Sequence, residues 1–178
     1  MQDSGGTAIW TIGHSSRSID EFVGLLQAER ITALADVRRY PGSRAHPHFN
    51  PAPLAEALSS AGVTYHGFDE LGGRRTPKPD SPHTIWRHTA FRGYADYMDT
   101  PEFASALERL MQLAAGERTA ITCSEAVWWR CHRSMIADAL KARGVRVLHI
   151  MNGGAPREHP YTSPARVVDG RLLYGEAE

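Results

Sequence analysis

Apolar and polar positions follow two rhythms along this chain. Residues 8–12 (Ala-Ile-Trp-Thr-Ile) are a short apolar run that stops at Gly13-His14, the pattern of a buried strand. Ser18 and Glu21 then make a capping box, and Phe22, Leu25 and Leu26 continue at helical spacing. Residues 31–37 (Ile-Thr-Ala-Leu-Ala-Asp-Val) predict a second strand, followed by a polar loop from Arg38 to Phe49. Asn50-Pro51 predicts a second helix, with a cap and a proline in its first turn, that ends at Gly62. A third short strand is expected over 63–66.

An irregular stretch rich in Gly, Pro, Arg and His runs from Gly67 to about Ala90. A loop of this length in a compact domain is a lid, a binding loop or disordered. Residues 91–98 predict a helix, and Thr100-Pro101-Glu102 opens another that reaches about Ala115. A fourth strand is expected at 118–123, ending on Cys123. The loop Ser124–His132 leads into a helix over Arg133–Ala142, stopped by Gly144, and 145–150 predict a fifth strand. The tail from Gly153 predicts a small hairpin around Asp169-Gly170. No internal repeat and no low-complexity segment is present.

Apolar strands alternating with amphipathic helices predict a three-layer α/β/α fold with a mainly parallel sheet of about five strands. The expected unit is one domain over 1–178, with its core at about 8–150 and a tail or hairpin at 153–178. Ligands of such sheets bind beyond the carboxyl ends of the strands. The segments that follow those ends are His14-Ser15-Ser16, Arg38 to Arg44, the Gly67–Ala90 loop and Cys123 to Arg133. They hold most of the chemically interesting residues, which predicts a site there.

Composition narrows the class. The chain has 178 residues, 42% hydrophobic and 22% charged, an ordinary globular profile that needs no disulfide or structural metal to bury a core. No apolar run approaches the roughly 20 residues that cross a bilayer, and the short Gly-rich Met1–Thr7 does not resemble a secretory signal. The formal charge is zero, from 20 basic and 20 acidic residues, which argues against a nonspecific nucleic-acid coat. All the basic residues except Lys78 and Lys141 are Arg, the side chain that grips phosphates and carboxylates with a planar fork. Cys123 and Cys131 are read as reduced thiols in a cytoplasm. A P-loop with its lysine and a Ser nucleophile elbow are both missing from the sequence.

Several motifs together resemble a known family. They are Thr11-Ile-Gly-His-Ser15, Asp36-Val-Arg38 with Pro41, Ser43-Arg44 and Phe49, Leu71-Gly-Gly73, and Cys123-Ser-Glu125 with Cys131-His-Arg133. From about Ala8 to Ile150 the chain resembles the domain of unknown function 488 family. The resemblance implies a small intracellular α/β domain and brings no established reaction. More loosely, the stretch from Cys123 through Arg133-Ser134 to Gly153-Gly154, with Asp36-Val37-Arg38, looks like rhodanese-like architecture. In that architecture, a tight loop between a cysteine and a helix N-terminus holds an anion.

The candidate chemistry follows from residue type and place. Cys123, at a strand end facing a helix N-terminus and Arg130 or Arg133, would carry more thiolate and could attack a substrate; otherwise it is a small buried hydrophobe. Cys131 is a resolving thiol, a metal ligand or a packed loop residue. His14 is a general acid or base, or else a histidine that caps the next helix or holds a neighbouring loop. Asp36 either takes part in catalysis or pairs with Arg38 or Arg133 to order loops, and Glu125 is either an acid–base group or a loop cap.

Converging Arg38, Arg44, Arg74 and Arg133, with Ser15 and His132, would bind an anion. Arg39, Arg75, Arg87, Arg92 and Arg130 are read as solvated surface. Tyr65, Trp86, Phe91, Tyr94, Tyr97, Trp128 and Trp129 are read first as packing and second as a stacking wall for a base. His46 and His48 are read as a loop turn.

Zinc and iron accept ligands of the kind that Cys123, Cys131, His132 and His14 offer, but their spacing matches no recognised site, so no metal ligand is assigned and the cofactor stays open. The expected function is an enzyme acting on a phosphorylated or nucleotide-like anion. The alternatives are a noncatalytic nucleotide or nucleic-acid binding module and a metal-binding or structural protein. The expected partner is a small anionic molecule or nucleotide, with nucleic acid as the alternative and no membrane; the sequence does not set the oligomeric state.

Overall fold

The computed structural model describes residues 6–175. Five parallel strands form the centre: β1 (Ala8–Gly13), β2 (Ala33–Asp36), β3 (Thr64–Gly67), β4 (Thr119–Cys123) and β5 (Arg146–His149). Their order is β3-β2-β4-β1-β5, and a two-residue antiparallel strand β6 (Arg157–Glu158), which local pattern does not predict, closes the β5 edge. The expected tail hairpin is present as β7 (Ala165–Val168) and β8 (Arg171–Tyr174), a separate two-stranded sheet. Its turn residues Asp169 and Gly170 both have positive φ, 51° and 78°, as a tight two-residue hairpin turn requires.

Residue alternation along each strand builds two cores. Trp10 and Ile12 of β1, Leu34 of β2 and Ala120 of β4 face α1 (Ile19–Ala28) and α2 (Pro51–Ser60), packing with Phe22, Leu26, Leu54 and Leu58. Ile9, Ala35, Ile121 and Cys123 point the other way. They pack with Tyr94 of α3 (Thr89–Met98), Leu107 of α4 (Pro101–Gly116) and Ile136 of α5 (Arg133–Ala142). Helices therefore cover both faces, and no helix among the described residues is long and apolar enough to cross a membrane.

Helix α1 starts at the predicted capping box, with Ser18 Oγ accepting from Glu21 N at 3.1 Å. At α2 the cap differs. Asn50 precedes the helix, but its Oδ1 accepts the Ser43 N–H at 2.6 Å, so it ties the 38–49 loop down instead of capping. Helix α3 begins two residues earlier than its apolar pattern, because the His88 ring accepts the Ala90 N–H at 3.2 Å.

The strand order places a topological switch between β1 and β4. Chain leaving β1 turns toward α1 on one face, and chain leaving β4 turns toward α5 on the other. Gly13 and Cys123 are register partners at this point. The loop after Cys123 crosses directly over the end of β1, where a Cβ on Gly13 would stand 1.7 Å from Glu125 O. Only glycine leaves room for that crossing.

Candidate active site

A cavity of about 750 Å³ opens at the switch point, at the carboxyl ends of the strands. Both thiols, His14, Arg38, His132 and Glu125 line it. Its rim carries Arg39, Arg74 and Arg130, with Tyr40 and Trp129 exposed at 59% and 52%.

The two sulfurs touch. Cys123 Sγ and Cys131 Sγ are 2.6 Å apart, and both residues are buried free cysteines. Cys123 sits at the last position of β4, on the face of the sheet that packs on α5. Cys131 precedes the first turn of α5, and the Arg133 backbone N–H donates to its sulfur at 3.5 Å. The nine residues between Cys123 and Arg133 include a 3-10 turn, Trp128–Arg130, instead of a tight anion cradle.

Arg133 lies beneath this pair, only 1% exposed. Its Nε donates to Cys123 Sγ at 3.0 Å, one Nη to Thr11 Oγ1 at 3.1 Å and the other to Glu125 O at 2.6 Å. The ion pairs formed by the described residues do not include it. A buried cation without a counter-charge is costly. Among the described residues, the groups beside Arg133 that can take up negative charge are the two thiols, and their presence raises its own pKa against the effect of burial.

The pair therefore titrates as a unit that holds one proton and one charge. Burial pushes Cys123 well up, and its bond to Cys131 adds to this. Burial also works against ionisation of Cys131, but the hydrogen bond from Cys123 and the charge of Arg133 outweigh it and bring Cys131 down to about 7. The histidine at the thiols is His132, not His14. Its Nε2–H donates to Val37 O at 2.8 Å, which leaves the Nδ1 lone pair facing Cys131 Sγ at 3.5 Å. Burial lowers the His132 pKa, so the ring is a neutral proton acceptor.

His14 belongs to the opposite face of the sheet. It stacks on Phe49 at 4.4 Å, bonds Ser15 O through Nδ1 at 2.9 Å and meets Arg38 Nη1 at 3.4 Å through Nε2. Burial brings its pKa down to about 4. Ser15, at φ 48°, contributes that carbonyl and does not line the cavity.

Asp36 is saturated. Arg38 grips it bidentately at 2.8 and 2.7 Å, and Tyr65 Oη donates to it at 2.6 Å. Of the two readings for Asp36, the geometry supplies the loop-ordering ion pair, because Arg38 also donates to Phe49 O at 2.7 Å. Arg44 is exposed and outside the cavity lining, whereas Arg39 and Arg130, read from sequence as surface, border it. Glu125 is exposed on the lining, and its backbone carbonyl also holds Arg133. Among the described residues no group of three or more His, Cys, Asp and Glu side chains is arranged to hold a metal ion.

The family model described as Domain of unknown function DUF488 matches residues 18–140. The chain belongs to the DUF488 family. No curated protein and no solved structure matches it. The matched DUF488 span contains Asp36, Arg38, Cys123, Cys131, His132 and Arg133, while His14 precedes it.

Behind Arg133, this DUF488 chain contains a polar network that sequence reasoning missed. Thr11 Oγ1 meets His149 Nδ1 at 2.6 Å, His149 Nε2 meets His159 Nδ1 at 2.8 Å, and His159 Nε2 meets Asp138 Oδ1 at 2.8 Å. Thr162 and Tyr174 close it by donating to the Asp138 carboxylate, Tyr174 at 2.9 Å. With Nε2–H donating on both rings, every donor from Arg133 onward points toward Asp138. The network orients the Arg133 fork by holding its Thr11 acceptor. Trp128 stacks on His149 at 4.5 Å, so this ring packs the network and is not free for a ligand. The one signal in the sequence was a polar residue in or at the end of an apolar strand run, Thr11 in β1 and His149 in β5.

Proposed function

We propose that this protein is a thiol-dependent enzyme acting on a small anionic substrate, phosphorylated or nucleotide-like, bound in the cavity at the strand ends. One observation carries the reading: a buried Arg133, with no carboxylate partner among the described residues, bonds directly to a pair of touching thiols at the cavity floor. A thiolate is the charge that balances it, and a thiolate is the nucleophilic form of cysteine.

Arg39, Arg74 and Arg130 at the rim supply fork-shaped donors for an anion. The exposed rings of Tyr40 and Trp129 offer stacking surface for a base, which favours a nucleotide-like substrate over a bare anion. Cys131, the slightly more exposed residue of the pair, attacks, and His132 Nδ1 takes the proton of any Cys131 that is still a thiol. Glu125, on the same lining, is placed to exchange a proton with a leaving group. The reading also puts the protein in a reducing cytoplasm, where both cysteines stay thiols.

The test is the rate of alkylation by iodoacetamide against pH, read by intact mass, with and without inorganic phosphate or adenosine monophosphate. The expected result is a reactive thiol with a midpoint near 7 that either anion slows. Thiols that stay inert until well above the ordinary cysteine value of about 8.5, unaffected by anions, would overturn it in favour of a noncatalytic binding or structural protein.

A further inference from the structure

We propose that Cys131 and Cys123 form a working dithiol–disulfide couple that reduces a sulfur–sulfur bond in an anionic substrate. This rests on the thiol-enzyme reading above and names its reaction and substrate class. A cysteine that only transferred a phosphoryl or acyl group would gain nothing from a second thiol in contact, and that thiol could trap it as a disulfide. Here the sulfurs are 2.6 Å apart at the cavity floor, so a bond between them requires no long-range movement.

Arg133 serves both ends of the exchange. Its side chain donates to Cys123 Sγ and its backbone N–H to Cys131 Sγ, so negative charge can pass from one sulfur to the other without moving the cation. The arginines at the rim favour an anionic disulfide over a cationic one.

The steps balance. The Cys131 thiolate attacks one sulfur of R–S–S–R′, forming Cys131–S–S–R and breaking the substrate bond; R′–S⁻ leaves and takes a proton. Cys123 then gives up its proton, attacks the Cys131 sulfur and expels R–S⁻, which takes up that proton. The substrate gains two electrons and two protons and becomes two thiols. The enzyme loses two electrons and the one proton of Cys123 and becomes the Cys123–Cys131 disulfide; because Cys131 starts as a thiolate, the proton taken by R′–S⁻ comes from solvent. A dithiol reductant, dithiothreitol in the assay, returns it to the starting state.

The experiment mixes reduced, oxygen-free protein with bis(carboxynitrophenyl) disulfide, an anionic probe, and in parallel with the cationic disulfide cystamine. Released thionitrobenzoate and intact mass are the readouts. Wild-type chain should release two equivalents and end without adduct, lighter by two hydrogens. Cys123→Ser should release one equivalent and keep the mixed disulfide at Cys131. Cys131→Ser should react at least about tenfold more slowly, as expected when the low-pKa thiol is lost.

The anionic probe should outpace cystamine, relative to a free thiol, and Arg39→Gln with Arg74→Gln should cut that preference roughly two- to fivefold, the size of exposed charge effects. Wild-type protein that keeps one or two adducts, with no internal disulfide, overturns the couple. That outcome is read on wild-type protein alone, so a serine variant that fails to fold does not obscure it. The two proposals also fail separately. Retained adducts with alkylation still slowed by phosphate would remove the couple and leave the anion enzyme. Clean disulfide formation with no effect of anions would do the reverse.

Discussion

Replacing Arg133 by Gln tests the electrostatic core of the site. The guanidinium bonds Cys123 Sγ at 3.0 Å, and its backbone bonds Cys131. At about 4 Å between charge centres and an effective dielectric near 20, the cation favours a thiolate by about 4 kcal/mol. That corresponds to roughly 3 pKa units at 1.36 kcal/mol each. Glutamine keeps one neutral donor, worth about 1 kcal/mol, so the net shift expected is about 2 units upward. The pair, which titrates about 7 at Cys131 in the native protein, would then titrate about 2 units higher, the net of those two effects. Alkylation at pH 7 should slow about 50-fold, since the thiolate fraction falls from about one half to about one hundredth when the midpoint moves up by about 2 units.

The assay is iodoacetamide alkylation across pH, with circular dichroism to confirm the fold. Arg133→Gln removes a buried cation and lets both thiols protonate, so it leaves no orphan charge and the chain is expected to fold. Arg133→Lys keeps the charge without the fork, and its midpoint should stay within about one unit of wild type on the same electrostatic grounds. A folded Arg133→Gln protein with an unmoved midpoint would show that Arg133 does not set the thiolate charge.

Two further outcomes are expected. His14 and His149, buried and neutral, have pKa values pushed down to about 4 and about 2, His14 mainly by burial and His149 by burial together with His159 and Arg133. Below the ordinary histidine value of about 6.5 the unfolded chain binds protons that the fold refuses. Stability should therefore be complete above about 6.5 and fall as pH drops toward 4, by roughly 3 kcal/mol for His14 alone, with the loss from His149 continuing below that. Urea unfolding at pH 7, 5.5 and 4.5 reads this, and a flat profile would contradict it. Gly13→Ala should destabilise the fold by about 1–3 kcal/mol and slow thiol alkylation, because its Cβ would push the Glu125 carbonyl that holds Arg133. Gly67→Ala, with open space at its Cβ, is the control, and equal melting temperatures for the two variants would rule out the crowding at Gly13.

Part of the site is legible along the chain. The strand ends at Gly13-His14, Asp36 and Cys123 follow from apolar runs meeting polar or glycine residues, and they lead to the correct edge of the sheet. Partners are less legible. Residue type suggests His14 as the acid–base group near Cys123, yet parity along β1 and β4 puts the two side chains on opposite faces, and His132 reaches the thiols instead. Arg133, expected to grip substrate, lies under the sulfurs. Arg44 stays outside the cavity lining and Arg39 borders it, because the 38–49 loop is folded by Asn50 and Arg38 rather than by its own pattern.

Local sequence is enough to set the elements, their order along the chain and the kind of residue left at each strand end. These depend on residues a few positions apart: a capping box, a proline in a first turn, a run of apolar side chains. Only packing of the whole chain inserts β4 between β1 and β2, which brings Cys123 to Gly13 across more than a hundred residues. Packing likewise satisfies Asp36 on Arg38 and Tyr65, and lets His159 from the β5 edge link His149 to Asp138. Such contacts answer to burial and charge balance in the packed molecule. An arginine whose charge is met by two thiols, with no carboxylate beside it among the described residues, becomes visible only when the chain has closed around it.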